Sequence, residues 1–248
     1  MNAMKHGTLL AAALSSAVAM GGETARDVAA AESAALPISK NVRGHENVEW
    51  SIAYAFGLTD ANRDLPRVLL VGDSICHQYA DGVRSLLKGK VNVSYWVSSY
   101  CATSPNYLTF LGIYLEEAKY DVVHFNQGLH SLGTDLGAWK AGLEAALRLI
   151  REKQPAARIF WTTMTPYKDA AKTAKVKERN AAAAEVVARL GGIETDDLFA
   201  LLDPLDREEF WADSVHHKAP AREKESAQVA ASVLSALSAQ DAAAKEEE

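Results

Sequence analysis

The chain has 248 residues, of which 48% are hydrophobic and 23% charged, and its formal net charge is -6. This length and composition predict a soluble globular protein with one sizeable core, in one domain or at most two. Because the chain is acidic and has no stripe of lysine and arginine, it lacks a field that would attract a phosphate backbone, and we expect no nucleic-acid partner.

The N-terminus has the pattern of a signal peptide. A positively charged start precedes an apolar, small-residue run from Leu9 to Met20, with an A-x-A-like cleavage site at 17–19. The run is too short to span a bilayer, and no other stretch approaches that length. We therefore predict a signal peptide over 1–20, a flexible leader over 21–44, and a secreted or periplasmic protein without a membrane span. An alanine-rich leader that is not cleaved is the alternative.

The next segment, 45–64, is less regular. It contains Trp50, Tyr54 and Phe56 among polar residues, and neither a helical nor a strand period is evident. We expect it to be an N-terminal extension that packs on the main domain.

The main domain is predicted over 65–238, where short apolar runs alternate with helical patterns, as in a parallel sheet built from βαβ units. The runs are nearly continuously apolar, so we expect helices to cover both faces of the sheet. The predicted strands are Arg67–Val71, Val91–Val97, Asp121–Phe125, Arg158–Thr163 and Gly192–Glu194. The predicted helices are Ala80–Leu87, Tyr107–Ala118, Leu136–Lys153, Ala170–Leu190 and Arg222–Leu237, and the tail 239–248 is predicted to be disordered.

The first chemical candidate is the segment Gly72-Asp73-Ser74-Ile75, directly after the first strand. In such sheets ligands bind outside the carboxyl ends of the strands. Glycine allows a tight turn there, and the free N–H groups and positive end of the following helix favour a developing oxyanion beside the Ser74 hydroxyl. Plain helix capping by Asp73 or Ser74 explains the segment equally well.

A serine nucleophile needs an adjacent base that a third group orients. His216 and His217 lie in a loop before the last helix, and Asp213 precedes His216 by three residues. A turn at this spacing brings the carboxylate to one ring nitrogen and leaves the other for Ser74. The choice of His216 over His217 rests on this Asp-x-x-His spacing, and a solvated surface loop is the alternative.

Together, Gly72-Asp73-Ser74 after a first strand and Asp213-x-x-His216 before a C-terminal helix resemble the motifs of the SGNH/GDSL hydrolases, a family of esterases and lipases. The resemblance covers about Leu65 to Leu237. It implies an α/β fold, a three-layer α/β/α sandwich with a mainly parallel five-stranded flavodoxin-like sheet. It also implies a Ser74, His216 and Asp213 triad that needs no metal and no other cofactor.

The two middle motifs of the family, which supply oxyanion donors, match less well. Cys101 stands where glycine is expected, although its backbone N–H remains a donor. His130, two residues after Gly128, stands where the family has asparagine, and Asn126 is another candidate donor. The resemblance thus implies an oxyanion hole made by the N–H groups of Ser74 and Cys101 and by the side chain of His130 or Asn126. The other interpretation of His130 is a loop histidine bonded to backbone.

The two cysteines, Cys76 and Cys101, have no zinc-type spacing. Set against the family motifs, both fall beside the expected site, which suggests a disulfide that braces it; two buried thiols are the alternative. His124 lies within the third predicted strand, and we predict that it is a core histidine.

The sequence therefore predicts a serine ester hydrolase that acts through an acyl-enzyme on a small-molecule or glycan ester. An acetyl or other short acyl ester of a carbohydrate is favoured by export and by the habit of the family. A non-catalytic glycan-binding domain and an acyltransferase with the same triad are the alternatives. No residue indicates the oligomeric state. The aromatic residues that could line a substrate cleft are Tyr79, Tyr100, Tyr107, Tyr167 and Trp211.

Overall fold

The computed structural model describes residues 49–246, so the predicted signal peptide and leader, and the first residues of the extension, lie outside the described residues. The elements in chain order are β1 (Ser51–Tyr54), β2 (Arg67–Gly72), α1 (Ser74–Leu86), β3 (Asn92–Ser98), α2 (Tyr107–Glu116), β4 (Val122–Phe125), a short 3-10 helix (Leu129–Ser131), α3 (Leu136–Lys153), β5 (Arg158–Thr162), α4 (Ala170–Leu190), β6 (Glu194–Asp196), α5 (Leu198–Leu202), α6 (Arg207–Phe210) and α7 (Ala219–Glu246).

The sheet has the strand order β1-β3-β2-β4-β5-β6, and the strands β2 to β6 are all parallel. Every residue of β3 and β4 is buried, and all but the first residue of β2. This burial is the physical reason for their continuous apolar runs, because helices cover a parallel sheet on both faces. The predicted α/β class, with a mainly parallel sheet between helices, is confirmed.

The sheet has six strands where five were predicted. The additional strand, β1, comes from the irregular extension and pairs antiparallel with β3 at one edge. Its first three residues are exposed, so no alternation of apolar side chains marks it in the sequence. It is held by backbone pairing and by a hydrogen bond of 2.8 Å from Trp96 Nε1 to Ser51 Oγ.

The helices pack in two groups, with α1 against α7, and with α3 between α2 and α4. The predicted bounds of α3 and α4 agree with the structure. The helix α1 begins six residues earlier than predicted, because the side chain of Asp73 caps it by accepting from Ile75 N at 2.9 Å. The helix α7 continues to Glu246 through the alanine-rich stretch that was predicted to be disordered; alanine favours helix more than any other residue.

The strand histidine, His124, is completely buried, as predicted for a core residue. Its Nε2 lies 2.9 Å from Asp196 Oδ2, and Gln228 Nε2 donates to Asp196 Oδ1 at 2.6 Å. Burial raises the pKa of Asp196, but the bonds and charge of His124 outweigh it and the net pKa is lowered. This network joins β4, β6 and α7 within the core.

Within residues 49–246, no helix has both the length and the apolar character needed to cross a bilayer. The same residues contain no group of three histidine, cysteine or acidic side chains arranged to hold a metal ion.

Candidate active site

Ser74 is the first residue of α1, directly after the carboxyl end of β2. The turn between them requires glycine at position 72, because a Cβ there would overlap the Cβ of Cys76 in the first turn of the helix. The close approach of α1 to the strand therefore sets the position of Ser74 at the sheet edge. The free N–H groups of the helix start lie beside its hydroxyl.

Asp213, His216 and Ser74 are hydrogen-bonded in series. His216 Nε2 lies 2.8 Å from Ser74 Oγ, and His216 Nδ1 lies 2.8 Å from Asp213 Oδ2. The other carboxylate oxygen of Asp213 accepts from the backbone N–H groups of Val215 and His216, both at 2.8 Å. The tight turn expected from the Asp-x-x-His spacing is thus present, and it brings the three side chains together.

The charge of Asp213 orients the His216 ring. Burial raises the pKa of Asp213, but the backbone N–H groups of His216 and Val215 and the His216 ring outweigh it, lowering the pKa to about 2. The carboxylate is therefore ionised and accepts the Nδ1 proton of His216. The Nε2 lone pair of a neutral ring then faces the Ser74 hydroxyl, which is the tautomer a general base needs.

The neighbouring histidine, His217, points into the interior. It is buried, and its Nδ1 lies 3.1 and 3.2 Å from the two carboxylate oxygens of Glu225. Its ring packs edge-on against the Trp211 ring, with the ring centroids 4.8 Å apart. Burial raises the pKa of Glu225, and His217 opposes this rise. His217 therefore anchors the loop that carries His216 and makes no contact of its own with Ser74.

A narrow crevice, too tight to admit a water molecule, lies beside the serine turn. Its lining includes the two glycines 72 and 128, Asp73, Ser98, Tyr100, Tyr107, Asn126, Gln127 and His130. Of the aromatic residues expected at a cleft, Tyr100 and Tyr107 are in this lining. Tyr79 and Trp211 are instead core residues, each only 1% exposed, and do not line it.

The two candidate side-chain donors both lie in the crevice wall. Asn126 Nδ2 donates to the carbonyl oxygens of Thr162 and Thr163, at 3.0 and 3.4 Å. Carbonyls only accept, so this amide orientation is fixed and its N–H groups are engaged. The His130 ring lies in the crevice wall, edge-on to Trp50 with ring centroids 6.2 Å apart.

Cys76 and Cys101 are both buried free thiols, so the hypothesised disulfide is absent. Cys76 packs on the backbone of Gly72, and burial raises the pKa of its thiol. Cys101 Sγ lies instead 3.1 Å from Thr103 Oγ1, within its own loop. The motifs suggested that the two residues are near one site, but the direction of each side chain depends on packing that the motifs do not contain.

Asp73 has a second feature besides capping α1. It is buried, its Oδ2 has no hydrogen-bond partner within the described part of the chain, and it lines the crevice. Burial raises the pKa of Asp73, against the opposing effect of His130. The sequence predicts only the capping role of Asp73, because a capping motif does not indicate whether the carboxyl group is buried.

We expect Gly128→Ala to lower the free energy of unfolding by about 1–3 kcal/mol, since Gly128 has φ = +151° and L side chains rarely adopt it. An added Cβ would also overlap Met164 Sδ. Urea unfolding of Gly133→Ala is the matched control, because a Cβ at Gly133 meets nothing within 4 Å. Equal losses of stability in the two variants would contradict the strain argument.

The fold, a mainly parallel sheet between helices, is similar to that of solved structures described as carbohydrate esterases, GDSL-like lipases and putative SGNH hydrolases. One is a carbohydrate esterase of family 3 from Talaromyces cellulolyticus, with 14% identity and a TM-score of 0.56 over 69% of this chain and 97% of that one. A GDSL-like lipase from Bacteroides thetaiotaomicron has 12% identity and a TM-score of 0.59 over 72% and 93%.

An acetylxylan esterase from Geobacillus stearothermophilus, solved as a catalytic mutant, has 15% identity and a TM-score of 0.52 over 66% of this chain and 92% of that one. No family model and no curated protein matches the sequence. At such low identities the likeness establishes the fold, and the function has to be argued from the site.

Proposed function

We propose that the protein is a serine ester hydrolase that works through an acyl-enzyme on Ser74. The observation that carries the proposal is the hydrogen-bonded series from Ser74 Oγ through both nitrogens of His216 to Asp213, with each link at 2.8 Å. A nucleophile, a base and a group that orients the base are the three parts that acyl transfer by serine requires.

In the proposed mechanism, Ser74 Oγ attacks the ester carbonyl while its proton passes to His216 Nε2. The tetrahedral intermediate collapses, the acyl–oxygen bond of the ester breaks, and His216 returns the proton to the leaving alcohol. Water then attacks the acyl-enzyme with His216 again as base, releasing the carboxylic acid and free Ser74. The ionised Asp213 stabilises the imidazolium that forms in both halves.

The oxyanion is proposed to be held by the backbone N–H groups of Ser74 and Cys101 and by the His130 ring. Both His130 and Asn126 line the crevice beside the serine turn; we choose His130 because the Asn126 amide already donates to the carbonyl oxygens of Thr162 and Thr163. Donors fixed before the reaction stabilise the developing charge without reorganising.

An acetyl or similarly short acyl ester of a carbohydrate is the proposed substrate. Two of the compared structures, a carbohydrate esterase and an acetylxylan esterase, support this choice. The predicted secreted or periplasmic location also suits a glycan ester.

The two alternatives lead to different products. A glycan-binding domain would leave the ester intact, and it has no need for a base aligned on a serine hydroxyl. An acyltransferase would give the acyl group to an acceptor sugar instead of water. Product analysis after incubation with an acetylated sugar and an unacetylated acceptor separates all three.

The nucleophile is tested directly with a fluorophosphonate ester. We expect one equivalent to bind, because Ser74 Oγ displaces fluoride at phosphorus while His216 takes the hydroxyl proton. Peptide mass spectrometry should place the adduct on the peptide containing Ser74. Folded protein that remains unlabelled, or that is labelled at another serine, would contradict the proposal.

A further inference from the structure

A buried glutamine joins the two loops that contain the altered motifs. Gln127, only 4% exposed, lies between Asn126 and Gly128 after β4. Its Nε2 donates to the carbonyl oxygen of Tyr100, in the loop after β3, at 3.2 Å. Its Oε1 accepts from the indole Nε1 of Trp139, in the first turn of α3, at 2.7 Å.

The chemistry of its two partners fixes the orientation of this amide. An indole nitrogen can only donate a hydrogen bond, and a carbonyl oxygen can only accept one. The oxygen of Gln127 therefore faces Trp139, and its nitrogen faces Tyr100. A side chain at this position needs an acceptor and a donor at once, which glutamine provides and an ionised glutamate does not.

The carbonyl of Tyr100 and the N–H of Cys101 belong to the same peptide unit. The unit is planar, and the described chain has no cis peptide bond, so the Cys101 N–H points away from Gln127 on the opposite edge. A hydrogen bond to the carbonyl consequently fixes the direction of the N–H. It also polarises the peptide and makes that N–H a stronger donor.

Trp139, which donates to Gln127, is itself packed against the buried cation of Arg179. The guanidinium of Arg179 lies 5.0 Å from the ring centroid of Trp139, and Arg179 Nη2 donates to the carbonyl oxygen of Thr134 at 2.7 Å. Both Trp139 and Arg179 are buried. Thr134 ends the loop that carries His130, so one buried group supports both the Gln127 contact and this loop.

We propose that Gln127 is a positioning residue that directs the Cys101 N–H toward the oxyanion and strengthens it as a donor. The inference rests on the proposed function, in which that N–H is part of the oxyanion hole. Gln127 acts through the peptide between Tyr100 and Cys101, because both ends of its amide are bonded within the protein. Its loss should therefore affect the stabilisation of the oxyanion more than the binding of the ester.

The decisive variant is Gln127→Glu, which keeps the shape of the side chain. An ionised carboxylate accepts from Trp139 but repels the Tyr100 carbonyl, so kcat/KM for p-nitrophenyl acetate should fall about 10–100-fold, less than the loss of a complete donor. A protonated carboxyl restores both bonds, and burial raises its pKa. The ratio of variant to wild-type kcat/KM should thus rise toward 1 as pH is lowered from about 9 to about 5.

The matched control is Gln154→Glu. Gln154 is also buried and also bonds backbone at both ends of its amide, accepting from Tyr120 N at 3.0 Å and donating to the carbonyls of Leu115 and Ala118. It follows α3 and precedes β5, at the amino edge of the sheet and away from Ser74. Gln154→Glu should lower thermal stability and leave kcat/KM of the folded enzyme within about twofold at every pH.

The inference and the proposed function fail in different ways. If wild-type hydrolysis depends on Ser74 but the Gln127→Glu ratio stays near 1 throughout, the inference is overturned and the proposed function stands. A ratio below 1 that does not change with pH indicates a merely structural role and also overturns it. If wild type and Ser74→Ala hydrolyse the ester equally, both are overturned.

Discussion

Ser74→Ala should lower kcat/KM for p-nitrophenyl acetate by about three orders of magnitude or more, because within residues 49–246 no other hydroxyl is bonded to His216 Nε2. Alanine removes the nucleophile and with it the acyl-enzyme route. The residual rate should match that of the buffer plus unspecific reaction at surface groups. Initial rates over a range of ester concentrations, with wild type and variant at equal concentration, measure the loss.

Ser85→Ala is the matched control for this experiment. Ser85 is exposed on the same helix, and its hydroxyl donates to the carbonyl of Asp81 at 2.8 Å. Its replacement should change neither the rate nor the fold, as circular dichroism can verify. Equal rates for wild type and Ser74→Ala would end the esterase proposal and favour the glycan-binding alternative.

The fold was largely predictable because its parallel strands are buried on both faces. Continuous apolar runs such as β2, between segments of helical period, are typical of strands that helices cover on both faces. The strand β1 was not predictable, since its side chains are mostly exposed and only its backbone pairing with β3 makes it a strand. The early start of α1 required the cap at Asp73, which the helical period alone does not reveal.

The site was predictable where the chemistry is local or follows from the fold. The Asp213 to His216 contact spans three residues and is a turn, and the serine lies at the sheet edge where parallel folds bind ligands. The Ser74 to His216 contact spans 142 residues, and it was expected only because the two motifs together resemble a known family.

Other parts of the site depend on packing between distant segments. Gln127 meets Tyr100 across 27 residues, and Arg179 meets Thr134 across 45. No hydrophobic period or residue spacing in the sequence marks such pairs, because each depends on how segments that are distant in the chain pack together. The same reason explains why the predicted disulfide is absent. That Cys76 and Cys101 both lie near one site did not determine where their sulfur atoms point.

The pair of adjacent histidines gives the second large effect. His216→Ala should reduce kcat/KM by about three orders of magnitude, since Ser74 loses its base, while stability changes little because the His216 side chain is 31% exposed. His217→Ala should instead lower stability strongly and change kcat/KM of the folded enzyme much less. It removes the partner of the Glu225 carboxyl, which is completely buried, and breaking such a pair costs about 3–5 kcal/mol of stability.

The pH dependence of stability separates the two roles further. Burial already raises the pKa of Glu225 in the folded protein, and without His217 the rise is larger, because only the charge of Arg222 is left to oppose it. The folded state then binds more protons than the unfolded chain between the ordinary and the raised pKa, so stability falls as pH rises across that window. We therefore expect urea midpoints of His217→Ala to decrease from acid to neutral pH more steeply than those of wild type.

Full activity in His216→Ala would show instead that His216 had been wrongly chosen over His217 as the base.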